Sequence, residues 1–379
     1  MEIPIYLDYN ATTPLDAEVF AEMAPFLQHR FGNPSSPYAL GLESKRAIDR
    51  ARGQVAELIH ARPDEIVFTG SATEANNLAI LGAARANHHR GNHIITSAVE
   101  HPAVKEVCRH LSQHGFEVTT IPVDSSGRVD PQVVENAIGP KTILISIMHA
   151  NNEVGTIQPI EAIGDIAKKH QVLYHTDAAQ SAGKIEVDVE KLNVDLLTLA
   201  GHKLYAPKGI GALYIRQGTP IENILFGAGQ ENGLRPGTEN VPYIVALGKA
   251  CELAKTGLAK NQAHLKHMRD RLLKSLLEKL GPAIKLNTDL ENCLPNTLSV
   301  AFEKVEAHTL ALLISNEVAI STGSACHAHS VEISYVLKAM NIDRMTAART
   351  VRISTGKYTT KEEIDLVVDV ISSAVNQFL

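Results

Sequence analysis

The feature that most constrains the fold is a regular alternation of short apolar runs with longer helical patterns between Ile66 and Leu213. The short runs are rich in β-branched residues and predict strands, while the stretches between them have the apolar spacing of helices. Such an order is typical of a mostly parallel sheet covered by helices on both faces, so the sequence predicts an α/β fold. The predicted strands are IVFTG, HIITS, EVTTIPV, TILISIM, VLYHT and DLLTLAGH.

The pattern changes after residue 243, where a long helical stretch extends from Ile244 to Leu280. We expect a large domain over residues 15–250 and a smaller α/β domain formed by residues 1–14 and 251–379. The smaller domain would contain the strand LSVAF, the loop STGSACHAHS and a closing helix, EEIDLVVDVISSAVNQF. Within the large domain, the stretch from Val172 to Leu213 is interpreted as strand, loop, helix and strand.

Composition excludes several classes of function. The chain has 379 residues, 44% hydrophobic and 21% charged, with a formal net charge of -6. These values are typical of a globular protein that lacks a basic surface for nucleic acid or anionic membranes. No signal peptide or transmembrane stretch is visible, so we expect a cytoplasmic protein with a small-molecule substrate. The four cysteines are scattered without a CxxC pair, so neither a disulfide framework nor a metal site is expected.

Asp177 and Lys203 carry the clearest chemical signal. Each follows an apolar run that predicts a strand, so both side chains should lie at the carboxyl ends of neighbouring parallel strands. Ligands of open α/β sheets bind at that edge. A lysine can form a Schiff base with pyridoxal phosphate, and a carboxylate can pair with its pyridine nitrogen. A surface lysine and a strand-end aspartate without a ligand would give the same pattern.

Other polar residues follow the predicted strands. Ala72 and Thr73 begin a helix after IVFTG, where backbone amides could hold a phosphate, although a simple helix cap has the same signature. His101 follows HIITS and could lie over a planar ring. Asn152 follows TILISIM and Gln180 follows Asp177, each with an amide that could reach a ring oxygen. Individually these are ordinary loop residues, but together they indicate one site.

Two further residues suggest substrate chemistry. Cys326 lies in a loop of small residues, where an exposed thiol with basic neighbours would have a larger thiolate fraction. The same run has a C-H-x-H spacing, but no second ligand cluster is near it in the sequence. Arg352 follows a strand pattern and could bind a substrate carboxylate in a bidentate manner or pair with a structural acid.

With these residues assembled, the chain resembles the group I cysteine desulfurases of iron-sulfur cluster assembly and nitrogen fixation, which are class V relatives of the aminotransferases. The resemblance covers essentially the whole chain. The matching runs are YLDYNATTP, GNPSSPY, GSATEANN, EHPAV, MHANNEVGTIQP, HTDAAQSAGK, GHKLYAPKGIGALY, RPGTENV, STGSAC and RISTGKYTTKEEID.

The resemblance implies a type I pyridoxal-phosphate fold and a homodimer with sites at the subunit interface. It implies Lys203 as the Schiff-base lysine, Asp177 as the partner of the pyridine nitrogen and His101 as the stacking imidazole. Gln180 and Asn152 would contact the ring oxygen.

The resemblance also implies residues for the phosphate and the substrate. Thr73 and His202 would hold the phosphate, with Thr238 reaching across from the other subunit. Asn33 and Arg352 would bind the substrate carboxylate. The expected substrate is L-cysteine, and a protein that accepts sulfur or serves as a scaffold is the expected partner.

Two positions depart from the usual desulfurase pattern, and a third distinguishes the chain from a related group. Ala200 replaces a serine, which removes one hydroxyl from the phosphate site. Tyr38 replaces a histidine, and this feature also resembles selenocysteine lyases. Pro102, in contrast, differs from the aspartate that those lyases tend to have. A selenocysteine lyase that releases selenide and alanine therefore remains an alternative.

The resemblance implies that Cys326 is the nucleophile that takes sulfur from L-cysteine as a persulfide, leaving L-alanine. Lys203 or His101 would move the α-proton. A class V aminotransferase needs no such cysteine and is a second enzymatic interpretation. A paralogue that only binds an assembly partner is a third, although Lys203 and Asp177 argue against it.

Overall fold

The computed structural model describes residues 3–322, 326–327, 330–331 and 333–378, with only the backbone described at 326–327 and 330–331. The helices are α1 (Ala17–Gln28), α2 (Ala39–Leu58), α3 (Ala72–Ala86), α4 (Pro102–Ser112), α5 (Pro131–Ala137), α6 (Ile160–His170), α7 (Val241–Leu280), α8 (Ala307–Ile314), α9 (Tyr335–Ala339), α10 (Arg344–Ala348) and α11 (Lys361–Asn376). None of these described helices is long and apolar enough to span a membrane.

The strands follow the same chain order. They are β1 (Ile5–Tyr6), β2 (Ile66–Thr69), β3 (His93–Ser97), β4 (Glu117–Ile121), β5 (Thr142–Ser146), β6 (Leu173–Asp177), β7 (Leu196–Ala200), β8 (Gly211–Ile215), β9 (Ile284–Leu286), β10 (Thr297–Phe302), β11 (Val318–Ala319), β12 (Cys326–His327), β13 (Ser330–Val331) and β14 (Thr350–Ser354).

A seven-stranded sheet forms the centre of the fold, in the order β2-β8-β7-β6-β5-β3-β4. The pairs β3–β4, β3–β5, β5–β6 and β6–β7 are parallel, and β8 is antiparallel to both of its neighbours. The predicted α/β class with a mostly parallel sheet is confirmed. Five neighbouring strands therefore end at the same edge of the sheet.

Alternate residues of the strands pack on opposite faces of this sheet. Phe68 belongs to a buried cluster that also includes residues of α1, α2 and α6 and the first part of α7. The preceding Val67 belongs to a different cluster, formed with α3 and α4. The strands are almost continuously apolar because both faces are covered, as expected for a parallel sheet.

A second, smaller sheet has the antiparallel order β14-β10-β9, and β1 pairs with β11 in parallel. A separate hydrophobic cluster joins this region to the second half of α7, to α8 and to α11. The predicted domain limits at residues 14 and 250 stay a prediction.

The helix predicted between the last two strands of the stretch Val172–Leu213 is wrong. Residues 178–195 form turns and short bridges that connect β6 to β7. The Leu192 amide donates to the Asp188 carbonyl, which closes a single helical turn, and Asn193 then has a φ of 50°. A left-handed residue directly after one turn ends the helical geometry.

Candidate active site

A cleft of about 410 Å³ lies at the carboxyl edge of the large sheet. Asp177 is the last residue of β6, and Lys203 follows β7 in a short 3₁₀ turn, Gly201–Lys203. The two strands are neighbours in parallel register, and both side chains line the cleft. The predicted residues that line it are Ala72, Thr73, His101, Asn152, Asp177, Gln180, Ala200, His202, Lys203 and Arg352.

Asp177 is buried, and both of its carboxylate oxygens accept hydrogen bonds. Asn76 Nδ2 donates to Oδ2 over 2.7 Å, and the Ala179 amide donates to Oδ1 over 2.9 Å. Hydrogen bonds to both oxygens fix the orientation of a carboxylate. Asp177 therefore presents a fixed negative charge at the floor of the cleft.

The Lys203 amine points to the chain segment before α1. Its Nζ donates to the carbonyl of Asn10 and, over 2.6 Å, to the carbonyl of Ala11. Burial, aided by the positive charge of Arg352, lowers the pKa of Lys203 to about 8, against the smaller opposing effects of nearby carboxylates. A lysine with a lowered pKa has a larger fraction of the neutral, nucleophilic amine near neutral pH.

Two imidazoles occupy the walls of the cleft. His101 caps α4, and its Nδ1 accepts a hydrogen bond from the Ala103 amide over 3.1 Å, so the ring proton lies on Nε2. Burial lowers the pKa of His101. It also lowers the pKa of His202 to about 4, with smaller contributions from Lys203 and Lys208. Both rings are therefore neutral at pH 7.

The amino end of α3 forms another wall. Ser71 caps the helix by accepting from the Glu74 amide over 3.1 Å, which realises the simple cap considered from the sequence. Ser71, Ala72 and Thr73 nevertheless line the cleft. A Cβ at Gly211 would lie 2.7 Å from the Ser71 carbonyl carbon, so glycine allows β8 to pack closely beneath this helix end. An exposed helix amino end favours an anion.

The Glu74 carboxylate would oppose an anion at this helix end if it were free. Its Oε2 accepts from the Gly70 amide over 2.8 Å, and its Oε1 pairs with Arg235 Nε over 2.9 Å. Arg235 belongs to the run RPGTENV, so this ion pair attaches that run to the wall of the cleft. The sequence alone did not indicate this pairing.

Arg352 enters the cleft from β14 of the smaller sheet. Its NH2 pairs with Asp8 over 2.5 Å, and its NH1 donates to the Asn152 carbonyl over 3.1 Å. Its Nε is buried and has no hydrogen-bond partner among the described residues. Arg352 therefore pairs with a structural acid, as one interpretation of the sequence expected, and its role toward a substrate carboxylate stays a prediction.

Two predicted residues, Asn33 and Thr238, are not among those that line the cleft. Asn33 is exposed, and its Oδ1 accepts from the Ser35 amide over 2.9 Å in a local turn. Thr238 is also exposed. The side chain of Cys326 lies outside the described residues. The roles implied for these three residues stay predictions.

The structure also adds residues that the sequence reasoning missed. Asn10 and Ala11 come from the first loop of the chain, and Asn76 comes from the second turn of α3. The run YLDYNATTP matched the family pattern, but no spacing within it links Asn10 to a strand end. Asn76 looked like one polar residue of a helix, and only its contact with Asp177 reveals its place in the site.

Comparison with known proteins places this cleft in a family context. The chain matches the family described as aminotransferase class-V over residues 5–367. It is 47% identical over 378 residues to the cysteine desulfurase IscS of Dictyoglomus turgidum, covering 100% of this chain and 96% of that protein. It is also 47% identical over 374 residues to the cysteine desulfurase IscS of Methanosarcina thermophila, covering 98% and 92% of the two chains.

A solved structure of a NifS-like protein superposes with a TM-score of 0.93 at 41% identity, covering 100% of both chains. The protein SspA, solved in complex with cysteine, superposes with a TM-score of 0.84 at 40% identity, covering 94% of this chain and 100% of that one.

Proposed function

The chain belongs to the aminotransferase class-V family and within it to the cysteine desulfurases, and we propose that its cleft uses pyridoxal phosphate to convert L-cysteine to L-alanine. Two relatives that are 47% identical over more than nine-tenths of their length have the name cysteine desulfurase, and SspA was solved with cysteine bound. The observation that carries the proposal is that Lys203 and the fixed carboxylate of Asp177 line the same cleft at one edge of the sheet.

The residues of the cleft fit the proposed cofactor. Asp177 offers a negative charge for a protonated ring nitrogen, and the amino end of α3 offers amides for a phosphate. The Asn152 Oδ1 is buried without a hydrogen-bond partner among the described residues, which is unusual for a polar atom unless a ligand completes it. Lys203 supplies the amine with a lowered pKa that would hold the cofactor aldehyde covalently.

Pyridoxal phosphate, when bound, supplies a ring that takes up negative charge from the substrate α-carbon. Asp177 would keep the ring nitrogen protonated, and the positive nitrogen would stabilise that negative charge. The Lys203 amine can take or return a proton, while His101, whose Nδ1 already accepts from the Ala103 amide, presents its Nε2 proton as a donor. Arg352, whose Nε has no hydrogen-bond partner in the described part of the chain, is a cation of the cleft that can bind the substrate carboxylate.

We propose Cys326 as the sulfur acceptor within the protein. Its thiolate would attack the substrate sulfur, so that a sulfur–sulfur bond forms while the carbon–sulfur bond breaks. The carbon receives a proton and leaves as the methyl group of alanine. The persulfide on Cys326 would then pass to a protein acceptor, which serves iron-sulfur cluster assembly or another pathway of sulfur transfer.

We also propose a homodimer in which Thr238 completes the phosphate site of the partner subunit. Thr238 is exposed and does not line the cleft of its own subunit. The ion pair of Arg235 with Glu74 holds the loop that contains Thr238 against the amino end of α3. Phe226, nine residues before Arg235, is 83% exposed and is an apolar side chain that a second subunit would cover. Hybrids of Lys203→Ala and Thr238→Ala subunits should regain activity, because one of their two sites has neither change.

The proposed activity is tested by incubating the cofactor-loaded protein with L-cysteine, then measuring alanine and the mass of Cys326. Alanine should form with a sulfur atom added to Cys326. Cys326→Ala should lose cysteine turnover by about a hundredfold or more and keep some selenocysteine turnover, because selenium leaves carbon more easily. Cys293→Ala, a change at a buried thiol, is the control. Alanine from selenocysteine but none from cysteine in the wild type would indicate a lyase instead.

A further inference from the structure

A buried lysine, Lys184, lies beside the cleft without lining it. It is 7% exposed, and it follows Gln180 by four residues. Buried lysines are rare and usually pair with an acid. The Lys184 Nζ instead donates to Asn10 Oδ1 over 3.0 Å and to Gln180 Oε1 over 2.9 Å. The Lys184 amine therefore donates hydrogen bonds to the side-chain amides of two residues of the site.

These contacts fix which way the Gln180 amide faces. Its oxygen accepts from Lys184, so its nitrogen points the other way and donates to the Asn10 carbonyl over 2.9 Å. The reversed amide would place Gln180 Oε1 against the Asn10 carbonyl oxygen, and two acceptors repel each other. Both the ammonium and the neutral amine of Lys184 have enough N–H groups for its two acceptors. The orientation therefore holds in either protonation state.

Asn10 is fixed in the same way. Its Oδ1 accepts from Lys184 and from Asn296 Nδ2 over 3.0 Å, while its Nδ2 donates to Thr297 Oγ1 over 2.8 Å. Its backbone carbonyl accepts from Gln180 Nε2 and from the Lys203 amine. Lys184 therefore contacts the side chains of Asn10 and Gln180, which meet at the carbonyl that also accepts from the Lys203 amine.

We propose that Lys184 is a positioning residue of the cleft, which holds the Gln180 amide so that its nitrogen is presented as a donor to the cofactor's ring oxygen. This inference rests on the proposed use of pyridoxal phosphate. It explains why a lysine occupies a buried position where a methionine would fill the same space with less loss of hydration. The donors of the lysine are what a methionine lacks.

The test compares Lys184→Met, which removes the donors, with Lys184→Gln, which retains an N–H₂ group. Lys191→Met, a change at an exposed lysine of the same connection, is the control. Pyridoxal phosphate is titrated into each cofactor-free protein, and binding is followed by absorbance. Lys184→Met should weaken binding by about two- to tenfold, the value of one hydrogen bond, and Lys184→Gln should lie closer to the wild type. Lys191→Met should not change binding.

A double-mutant cycle separates positioning from a merely structural role. Gln180→Leu removes the group that Lys184 orients, so Lys184→Met should weaken binding little further in that background. The absorption spectrum of the bound cofactor should change in the same way in both single variants. Independent and fully additive effects of the two substitutions on binding and spectrum would overturn the proposal.

Two measurements keep the inference distinct from the proposed function. A double-mutant cycle based on thermal unfolding of the cofactor-free proteins should show that Lys184→Met and Gln180→Leu have non-additive effects on stability, whether or not any cofactor binds. In wild-type protein with ¹⁵N-labelled glutamine, the side-chain signal that Gln180→Leu removes should shift when pyridoxal phosphate is added. This second measurement needs no folded Lys184 variant. If the wild type binds the cofactor and that signal does not move, the inference is wrong while the proposed function stands.

Discussion

The two edges of the large sheet are built from the same strands, but their polar groups differ in burial and in whether they have partners within the protein. At the amino edge, a surface groove is lined by charged residues that include Asp195 and Arg216. Arg216 pairs with Glu190 over 2.8 Å, and Asp195 accepts from the Tyr174 amide over 2.9 Å. These charges are satisfied within the protein, so this edge has the character of a stabilised surface.

At the carboxyl edge, the polar groups are buried, and several lack partners among the described residues. The unpartnered atoms include Asn152 Oδ1, Asn76 Oδ1 and Arg352 Nε. The pKa of Lys203 is lowered to about 8 by burial, and burial also lowers the pKa of His101. Such groups cost folding free energy, and they are retained where a ligand uses them. The comparison indicates that chemistry is confined to one edge of the sheet.

Lys203→Ala should break this comparison most strongly. The change removes the amine that we propose binds the cofactor and moves the proton, so turnover of cysteine should fall by about a thousandfold or more. Lys168→Ala, at the opposite groove, should leave turnover unchanged. Alanine formation by both purified proteins measures the difference. Substantial activity in Lys203→Ala would show that the carboxyl edge does not depend on this lysine.

Asp177→Asn should have the next largest effect. The asparagine retains the shape of the side chain but lacks the negative charge, so turnover should fall by about a hundredfold or more. The protein should stay folded, which circular dichroism can verify. Near-normal turnover would mean that Asp177 only accepts the hydrogen bonds of Asn76 and Ala179.

The lowered pKa of Lys203 predicts how cofactor uptake depends on pH. Only the neutral amine attacks an aldehyde, so the rate of uptake by cofactor-free protein should rise about tenfold per pH unit below 8 and level off above it. A lysine with the ordinary value of 10.5 would show a rate that continues to rise well beyond pH 8. Stopped-flow absorbance between pH 6.5 and pH 9.5 distinguishes the two. A rise that continues through pH 9.5 would contradict the lowered pKa.

The smallest effect is expected from Arg216→Ala at the amino edge. Its ion pairs are partly exposed and screened by solvent, so the free energy of unfolding should fall by about 1 kcal/mol or less. Cysteine turnover per folded protein should not change, because no group of the cleft contacts this residue. Urea unfolding and an activity assay measure the two quantities. A loss of turnover without a loss of stability would show that the two edges are coupled.

Most of the architecture could be predicted from the sequence because the apolar spacing of strands differs from that of helices. Each spacing persists over the full length of most elements in this chain. Polar residues at or shortly after the ends of strands, such as Asp177 and His101, could be placed in the cleft because parallel strands end at a common edge. The prediction of a helix before β7 was wrong because the residues after Asp188 have the composition of a helix but form only a single turn.

The remaining parts of the site could not be read from local patterns. Asn10 reaches the cleft from the start of the chain. Lys184 does not line the cleft, but it donates hydrogen bonds to the side-chain amides of Asn10 and Gln180. Asp8 pairs with Arg352 across 344 positions of sequence. Such contacts are set by tertiary packing, and no spacing within the sequence encodes them.

The central claim, that chemistry is organised around Lys203 at the carboxyl edge, is tested most directly by covalent trapping. The protein is loaded with pyridoxal phosphate, reduced with borohydride, digested and examined by mass spectrometry. The reduced cofactor should be attached to Lys203 and to no other lysine, although Lys184 and Lys208 lie close to it in the sequence. Attachment to Lys184 or Lys208, or no attachment at all, would contradict the claim.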